Sequence, residues 1–504
     1  MLKMTQLTKQ KNKASAFVAL GCILLSFTML VSLSGCEKFL ELPVKDKVPQ
    51  DKLFTDEQGF IDALTGIYVG MDKPTNGGPS GLYTTDLTMG LVSTVANNYP
   101  AASTFSGKDG LYANAAKYDY MSTVVRREID GIWGGMYNNI ANVNNLLSHI
   151  DAKRAVFSLD RYQRVKGEAY ALRALFHFDL ARLYGQNPVT GLNDKAIPYV
   201  TTFSAVSTPF VPLNVALDSC ISDLKKATVL LAQTDTTALN KVSLDLFNGF
   251  TQNHLNYWAT KALLARVYMY KGDYANAEKY AHEVIGSNKF PLITNNVNSA
   301  SSATRDRMFS QELLFSVYCN NLRNYSDELF SISSGVSLRF PLANQTTLYG
   351  GQAPTGVDWR LTWFEKNNNN NSYERLTKYT FDTSPEQYGM LQSNVPVLRI
   401  SEMYYIAAEC ANRNGDIANG LIYLNSVRRA RGLADLTNIT NSATLTTEIT
   451  KEHQKEFIQE GQTFFYYKRL NLDLKAASGT TAVVTVPETA YVFPIPDKEN
   501  EFNR

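Results

Sequence analysis

Apolar and polar residues alternate along much of this chain with the period of an α-helix. Hydrophobic positions recur three and four residues apart in several long segments, a pattern typical of amphipathic helices. The segments are Thr55–Met71, Glu128–Leu147, Leu159–Tyr184, 211–234, Tyr257–Ile285 and Ser401–Leu433. The pattern predicts a mainly α protein with few short strands.

Two of these segments have the form of a helix pair. A Gly272-Asp273 turn divides the first, and a Gly415-Asp416 turn divides the second. Five residues after each glycine stands a small residue, which allows two helices to approach closely. We therefore predict tetratricopeptide-like helix pairs, stacked as an α/α superhelix and interrupted in the sequence as a broken repeat.

Long stretches without a helical period separate the helices. Residues 72–122 are rich in Gly, Pro, Asn, Thr and Tyr, which predicts irregular surface loops. Residues 291–397 show no sustained period and are interpreted as a variable, loop-rich region, and long insertions of this kind are often functional. After Leu470 we expect short strands and loops.

The N-terminus has the organisation of a bacterial lipoprotein signal. Lysines precede an apolar run from Ala16 to Leu33, which ends in a Leu-Ser-Gly-Cys box at Cys36. This order predicts a signal peptide over 1–35, cleavage before Cys36 and lipidation of its thiol. The alternative is a transmembrane helix, because the run approaches the roughly 20 residues that span a bilayer.

Downstream of the signal we predict a tether and one compact unit. The tether covers 36–50, and the unit covers 51–504. Its helical scaffold comprises 51–290 and 398–470, on either side of the loop-rich region 291–397.

Composition narrows the classes of function. The 504 residues carry a formal net charge of +2, and removal of the signal with its four lysines leaves about −2. A near-neutral balance gives no support for nucleic-acid binding. Cys220, Cys319 and Cys410 are widely spaced, so we expect small buried apolar residues rather than a disulfide framework.

Aromatic residues in the loop-rich stretches are the candidate ligand contacts. They are Tyr83, Tyr99 and Tyr112 in the first stretch and Trp359 and Trp363 in the second. An aromatic face can stack on a sugar ring while amide and carboxylate side chains bond its hydroxyl groups. The alternative for each residue is packing beneath its own loop.

The sequence gives little support for a catalytic or a metal-binding site. Glu402 and Glu409 share a helix face and could form an acid–base pair, but neighbouring arginines favour ion pairs instead. The basic cluster 428–431 could contact a phosphate or an anionic sugar, but it is interpreted as a solvated, ion-paired helix end. The His-Glu-x-x-His zinc motif begun at His282 lacks its second histidine, since position 286 is Gly286. We predict no enzyme activity, no catalytic residue, no metal site and no cofactor, with calcium left open.

Several short sequence blocks follow one another along the chain. They are Cys36-Glu37-Lys38-Phe39-Leu40-Glu41, Ala63-Leu64-x-Gly66-x-Tyr68, Gly167-Glu168-Ala169-x-x-Leu172-Arg173-Ala174, Asn425-x-x-Arg428-x-x-x-Gly432-Leu433 and Pro494-Ile495-Pro496-x-x-Glu499. Taken together and in this order, they resemble the SusD/RagB family of outer-membrane nutrient-binding lipoproteins. They extend over the whole chain after the signal. The chain departs from the family pattern at His453, where the family commonly has Arg. It also departs at Thr463 and Tyr466, where Arg and Asp are common.

The resemblance implies a helical, lipid-anchored protein on the cell surface of an outer membrane. It would cover a SusC-type TonB-dependent transporter as a lid, bind an oligosaccharide or another nutrient, and deliver it without chemistry. Three alternatives stay open. They are a peptide-binding member of the same family, a surface glycan hydrolase, and a structural envelope lipoprotein that binds only the transporter.

Overall fold

The computed structural model describes residues 50–73, 81–99, 107–234, 236, 247–293, 306–331, 338–350, 357–366, 373–379, 393–473 and 488–502. The chain divides into two units, Met1–Leu53 and Phe54–Arg504. The described end of the first unit forms helix α1, Gln50–Leu53. The predicted signal peptide 1–35, Cys36 and nearly all of the tether 36–50 lie outside the described residues.

Helices dominate the second unit, and the mainly α class is confirmed. We call the loop-rich region 291–397 the insertion. Before it the helices are α2 (Glu57–Gly70), α3 (Leu91–Val95), α4 (Leu111–Ala115), α5 (Thr123–Ile150), α6 (Arg161–Tyr184), α7 (Leu213–Leu231), α8 (Tyr257–Lys271) and α9 (Tyr274–Gly286). The insertion contains α10 (Leu322–Phe330) and α11 (Leu342–Tyr349). After it come α12 (Ile400–Arg413), α13 (Ile417–Ala430), α14 (Ser442–Glu456), α15 (Gln462–Leu470) and α16 (Asp497–Phe502).

Successive helices pack side by side into one array. Helix α2 packs on α5, α5 on α6, α6 on α7, α7 on α8, and α8 on α9. Helix α9 then packs on α12, although the whole insertion separates them in the sequence, and α12 packs on α13 and α14. The two tetratricopeptide-like pairs, α8–α9 and α12–α13, are therefore neighbours in space. The broken repeat of the sequence is a continuous array in the structure.

The Gly-Asp turns end one helix of each pair and begin the next. Gly272 and Gly415 have φ values of 85° and 78°, the left-handed conformation that favours glycine after a helix. The carboxylate of Asp273 then accepts from a backbone N–H of α9, and that of Asp416 does the same for α13. A third glycine, Gly420, permits the close packing of α13. A side-chain carbon there would lie only 2.8 Å from Leu445 Cδ2.

Short strands connect the parts of the chain that are not helical. Strands β1 (Lys195–Pro198) and β2 (Phe210–Pro212) form an antiparallel pair before α7. Strand β3 (Leu313–Tyr318) pairs with β7 (Asn394–Arg399), from Leu313 opposite Arg399 to Tyr318 opposite Asn394. Strands β4 (Phe340–Pro341), β5 (Phe364–Lys366) and β6 (Tyr373–Leu376) form a small sheet in the order β4-β6-β5. The β3–β7 ladder thus brings the two ends of the insertion together.

Two stretches differ from the sequence prediction. Within the first predicted surface loop, 72–122, residues 81–99 are almost entirely buried and contain a π-helical turn, Leu82–Asp86, as well as α3. Its polar residues are tolerated inside because their hydroxyl groups bond nearby groups, as Thr85 and Thr94 do with the carbonyl oxygens of Gly81 and Gly90. Near the C-terminus, where strands and loops were expected, the described residues form a 3₁₀ turn and helix α16.

A buried ionic cluster joins the insertion to the helical array. Glu456, the last residue of α14, accepts hydrogen bonds from Arg360, Arg399 and Arg431 at distances of 2.5 to 3.3 Å. Arg431 also makes two 2.8 Å bonds to Glu312. Burial disfavours the Glu456 carboxylate, but the charges of Arg431 and Arg399 outweigh burial and hold its pKa well below the ordinary range. Because Arg360 belongs to the insertion, the cluster fixes that region to α14.

Two of the positions that depart from the family pattern contact each other. The ring of His453, on α14, stacks on the ring of Tyr466, on α15, with 4.1 Å between centroids. Both side chains are buried, and burial holds the pKa of His453 well below its ordinary value. A neutral aromatic stack therefore joins α14 to α15 at these positions.

Glu168 ties α2, α6 and the start of α8 together. Its buried carboxylate accepts from the hydroxyl of Tyr68 at 2.6 Å and from Arg164 at 3.0 Å, and it contacts His254 at 2.8 Å. Burial opposes ionisation, but His254, Arg164 and the tyrosine hydroxyl outweigh it and lower the pKa of Glu168 to about 2. The ionised form of Glu168 therefore stabilises the fold.

We expect Glu168→Gln to lower the free energy of unfolding at neutral pH by about 3 kcal/mol, from the lowered pKa. The carboxylate contributes fully above its unfolded pKa of about 4.5 and loses its contribution as the pH falls through about 2. Urea unfolding of both proteins across this range should show the difference shrinking with acidity. A difference that stays constant from pH 7 to pH 2 would contradict the assignment.

A candidate ligand-binding cleft

An aromatic cleft of about 650 Å³ opens where three parts of the chain meet. They are the turn before α5, the C-terminal end of α6, and the segment that precedes α16. We call it the Tyr118 cleft. It is lined by Tyr118, Asp119, Tyr120, Met121, Tyr184, Gln186, Thr489, Val492, Phe493, Pro494 and Ile495.

Three buried aromatic rings form the floor of the Tyr118 cleft. The ring of Phe493 meets that of Tyr120 at 5.1 Å and that of Tyr184 at 6.1 Å, both edge to face. The two tyrosine hydroxyls donate to backbone carbonyl oxygens, Tyr120 to Ala490 at 2.5 Å and Tyr184 to Ile129 at 2.6 Å. The floor is therefore apolar, and its rings are fixed in place.

The rim of the cleft carries Tyr118 beside polar side chains. Tyr118 is half-buried and has a φ of 58°, a conformation that is strained for a bulky residue. Strained residues often occur at ligand sites. Burial raises the pKa of Tyr118 to about 12, so its hydroxyl is neutral and can donate. Asp119, Gln186 and the exposed Thr489 supply further polar groups at the same rim.

Lys468 holds one wall of the cleft against the helical array. From α15 its buried ammonium donates to the carbonyl oxygens of Arg182 at 2.6 Å, Gly185 at 2.7 Å and Tyr491 at 2.5 Å. Burial and the Arg182 charge lower its pKa, but three short carbonyl contacts require the three N–H groups of the charged form. Lys468 therefore joins the end of α6 to the segment that carries Phe493.

The tyrosines predicted as ligand contacts are placed elsewhere. Tyr83, Tyr99 and Tyr112 are all buried. The hydroxyl of Tyr83 donates to Asp179, and that of Tyr99 donates to the carbonyl oxygen of Met89, both at 2.7 Å. A ligand could reach these rings only if the segments around them moved. In this structure the three rings pack in the protein interior. Their contact with a ligand stays a prediction.

The two predicted tryptophans lie apart from the Tyr118 cleft. Trp363 is fully buried, donates to the carbonyl oxygen of Arg307 at 2.9 Å, and has the Lys378 ammonium 4.1 Å from its ring centre. Trp359 is half-buried against Gly432, where a side-chain carbon would lie 2.4 Å from the indole nitrogen. Trp363 therefore packs beneath its own loop, which was the alternative to ligand contact.

A second cleft, of about 600 Å³, lies along α5, α6 and α7. Tyr170, Tyr199 and the half-exposed Phe203 supply aromatic surface there. Its polar centre is the buried ion pair of Arg173 with Asp223, closed by two hydrogen bonds of 2.7 and 2.9 Å. Burial opposes the Asp223 carboxylate, but Arg173 outweighs it and lowers the pKa of Asp223. The two charges of this pair neutralise each other. The aromatic side chains are therefore the surface that the second cleft offers to a ligand.

The acidic residues singled out by the sequence are held in ion pairs. Glu402 accepts from Arg266 at 2.7 and 2.5 Å, and Glu409 accepts from Arg469 at 2.9 and 2.6 Å. The basic cluster 428–431 is ion-paired as expected, but it is not solvated throughout, since Arg431 is fully buried against Glu312 and Glu456. Each of these carboxylates is therefore engaged with a guanidinium group.

In the part of the chain that the structure describes, the side chains that could bind a metal form no cluster, and the cysteines are free. No group of three or more His, Cys, Asp or Glu side chains is arranged there to hold a metal ion. Cys220, Cys319 and Cys410 are free and buried, as predicted. Cys220 and Cys410 lie on helices as expected, whereas Cys319 follows strand β3. Calcium binding is not tested by these positions.

Two family models match overlapping parts of the chain. The model of the SusD family matches residues 256–503, and a model described as starch-binding and associating with the outer membrane matches residues 81–269. The chain belongs to the SusD/RagB family. Among the described residues of this SusD/RagB protein, no helix has both the length and the apolar character needed to cross a membrane.

A curated relative and solved structures agree with this membership. A SusD-like protein of Formosa agariphila is 25% identical over 354 residues, which cover 60% of this chain and 66% of the relative. This match therefore spans just under two thirds of the relative's length. A SusD-like carbohydrate binding protein from Bacteroides vulgatus superposes with a TM-score of 0.67 at 16% identity, covering 89% of this chain and 96% of that chain. A SusD superfamily protein from Bacteroides thetaiotaomicron gives 0.67 at 21% identity, covering 89% and 98%. These two structures show the fold.

We expect Lys468→Met to lower the free energy of unfolding by on the order of 2 kcal/mol or more, because buried carbonyl oxygens lose a charged donor. Urea denaturation measures the loss. The matched control is Lys451→Met, since Lys451 is half-exposed and pairs with Glu448, so its loss should stay below about 1 kcal/mol. Equal effects of the two substitutions would show that Lys468 does not hold the wall.

Proposed function

We propose that this SusD/RagB protein captures an oligosaccharide at the outer membrane and passes it unchanged to a SusC-like TonB-dependent transporter. The observation that carries the proposal is the Tyr118 cleft. The family model described as starch-binding and the carbohydrate-binding description of the Bacteroides vulgatus neighbour support a sugar as the ligand. The transporter partner rests on the family resemblance.

The Tyr118 cleft has the size and surface that a short oligosaccharide needs. Its volume of about 650 Å³ lies within the roughly 300–1,000 Å³ of small-molecule sites. A sugar ring offers an apolar face and a rim of hydroxyl groups. The half-buried ring of Tyr118 complements the face, and Asp119, Gln186 and Thr489 complement the hydroxyl groups.

Binding without chemistry agrees with the state of the acidic residues. Glycoside hydrolysis requires two carboxyl groups directed at one bond, whereas Glu402 and Glu409 are each held by an arginine. Among the described residues that line the Tyr118 cleft, the one carboxylate is that of Asp119. The proposal is therefore a binding protein, and the absence of turnover is part of what the ligand experiment tests.

Tyr118→Gly should weaken oligosaccharide binding about 10- to 100-fold while leaving the melting temperature unchanged or slightly higher. The ring supplies the stacking surface, and glycine relieves the positive φ. The measurement is calorimetric titration of the purified protein with panels of oligosaccharides and peptides, with recovery of the ligand afterwards.

Phe203→Ala in the second cleft is the matched control and should bind as the unsubstituted protein does. A loss of binding in Phe203→Ala but not in Tyr118→Gly would move the site to the second cleft. Binding of peptides alone would favour the peptide-binding alternative, and recovery of a cleaved glycan would contradict capture without chemistry. If neither panel binds, the remaining function is that of a lid that binds only the transporter.

Cys36→Ala should release the protein from the outer-membrane fraction into the soluble fraction, because the proposed lipid anchor depends on this thiol. A multiply acylated cysteine binds a membrane stably, whereas a single chain gives only marginal binding. Fractionation of cells expressing either form, followed by a salt wash, measures the release. Cys220→Ala, a substitution at a buried cysteine, should leave the protein attached. Retention of Cys36→Ala in washed membranes would rule out this anchor.

A further inference from the structure

The described lining of the Tyr118 cleft contains no positively charged side chain. None of its eleven residues is Lys, Arg or His, and the one ionised side chain among them is the carboxylate of Asp119. The other polar side chains at the rim are the hydroxyl groups of Tyr118 and Thr489 and the amide of Gln186, all of them uncharged. A ligand in this cleft therefore meets neutral donors and one anion.

Asp119 keeps one carboxylate oxygen for a ligand. Its side chain is exposed, and within the described residues its carboxylate accepts through Oδ1, from the backbone N–H of Ser122 at 3.1 Å. The second oxygen, Oδ2, is left to accept from a ligand. A carboxylate oxygen accepts strongly from a hydroxyl group, whereas it repels another carboxylate or a sulfate.

Two cations close to the cleft are already engaged. Arg126 donates to Asp130 at 2.9 Å and to Asp497 at 3.2 Å. It also donates to the carbonyl oxygen of Ile495 at 2.8 Å. Lys468, behind one wall, is fully buried and directs its ammonium to backbone carbonyl oxygens. Neither side chain can turn to a ligand without losing these bonds.

Two exposed lysines belong to the same segments of the chain. Lys117 precedes Tyr118, and Lys498 lies in α16, and neither lines the cleft. Charges that are surrounded by water are screened and interact weakly. These lysines therefore do not supply the counter-charge that an anion inside the cleft would need.

We infer, on the basis of the proposed oligosaccharide capture, that the sugar unit seated in the Tyr118 cleft is uncharged. The protein then selects neutral oligosaccharides and rejects those built from uronic acids or sulfated sugars. An anionic sugar would lose hydration, gain no positive partner from the lining and face the carboxylate of Asp119. A neutral sugar can donate a hydroxyl to Asp119 and accept from Gln186 and Thr489.

Asp119 determines this selectivity through its charge. Discrimination between two ligands comes from an unfavourable contact with the wrong one as much as from a favourable contact with the right one. The carboxylate of Asp119 makes both contacts. Asp119→Asn keeps an oxygen for the N–H of Ser122 and nearly the same size, so it changes the charge of the rim and little else.

The test titrates the purified protein with matched pairs of oligosaccharides in a calorimeter. The members of a pair have the same length and linkage, and one is built from hexoses and the other from the corresponding hexuronic acids, in the gluco, manno and galacto series. In a pair that binds, the neutral member should bind about 10-fold or more tightly than the acidic one. Added sodium chloride should strengthen binding of the acidic member and leave that of the neutral one unchanged, because salt screens repulsion.

Asp119→Asn should reduce the preference for the neutral member about threefold or more. The matched control is Glu448→Gln, which removes a carboxylate of α14 that does not line the cleft and should keep the full preference. Melting temperatures close to that of the unsubstituted protein show that both variants are folded.

The outcomes separate the selectivity from the capture. An acidic member that binds as tightly as its neutral partner, with both lost in Tyr118→Gly, would overturn the selectivity and leave capture standing. No binding of any pair would overturn the proposed capture and the selectivity together. Acidic binding that survives Tyr118→Gly but is lost in Lys226→Gln would support the inference, because Lys226 lines the second cleft.

Discussion

The fold depends on one carboxylate surrounded by three buried guanidinium groups. Glu456 is removed from water at the end of α14, where an isolated charge would be unstable, and only the contacts of Arg360, Arg399 and Arg431 make its ionised state favourable. These arginines come from the insertion, from the end of β7 and from the end of α13. The cluster is complete only when all three parts of the chain are in place, so it couples their folding.

The rest of the architecture is arranged around this coupling. The helical array runs without a break from α8–α9 to α12–α13, and the insertion leaves and returns between them. The Tyr118 cleft is built in a similar way, since three segments that are distant in the sequence supply its walls. Lys468 joins two of them through backbone carbonyl oxygens. In both places a buried charge from one helix fixes a segment that has few helical contacts of its own.

The helices could be predicted from the sequence because their apolar periods are long and their turns carry Gly272-Asp273 and Gly415-Asp416. The site could not. Tyr83 and Tyr99 lie in a stretch whose polar composition resembles a surface loop, yet local hydrogen bonds allow it to be buried. The candidate Tyr118 is brought to Phe493 by contacts across most of the chain. Its positive φ, the clearest mark of the position, has no signature in the sequence.

The β3–β7 ladder has a consequence for how such a protein can diversify. Because Tyr318 lies opposite Asn394, the chain between them begins and ends at one place, and its exchange for a segment of another length would leave the array unchanged. Closing a longer excursion costs little, about 0.6 kcal/mol for each doubling. The exchange has conditions. Arg360 and Lys378 lie within the excursion, so any transplanted segment must bring cations of its own to Glu456 and Glu452 and to Glu460.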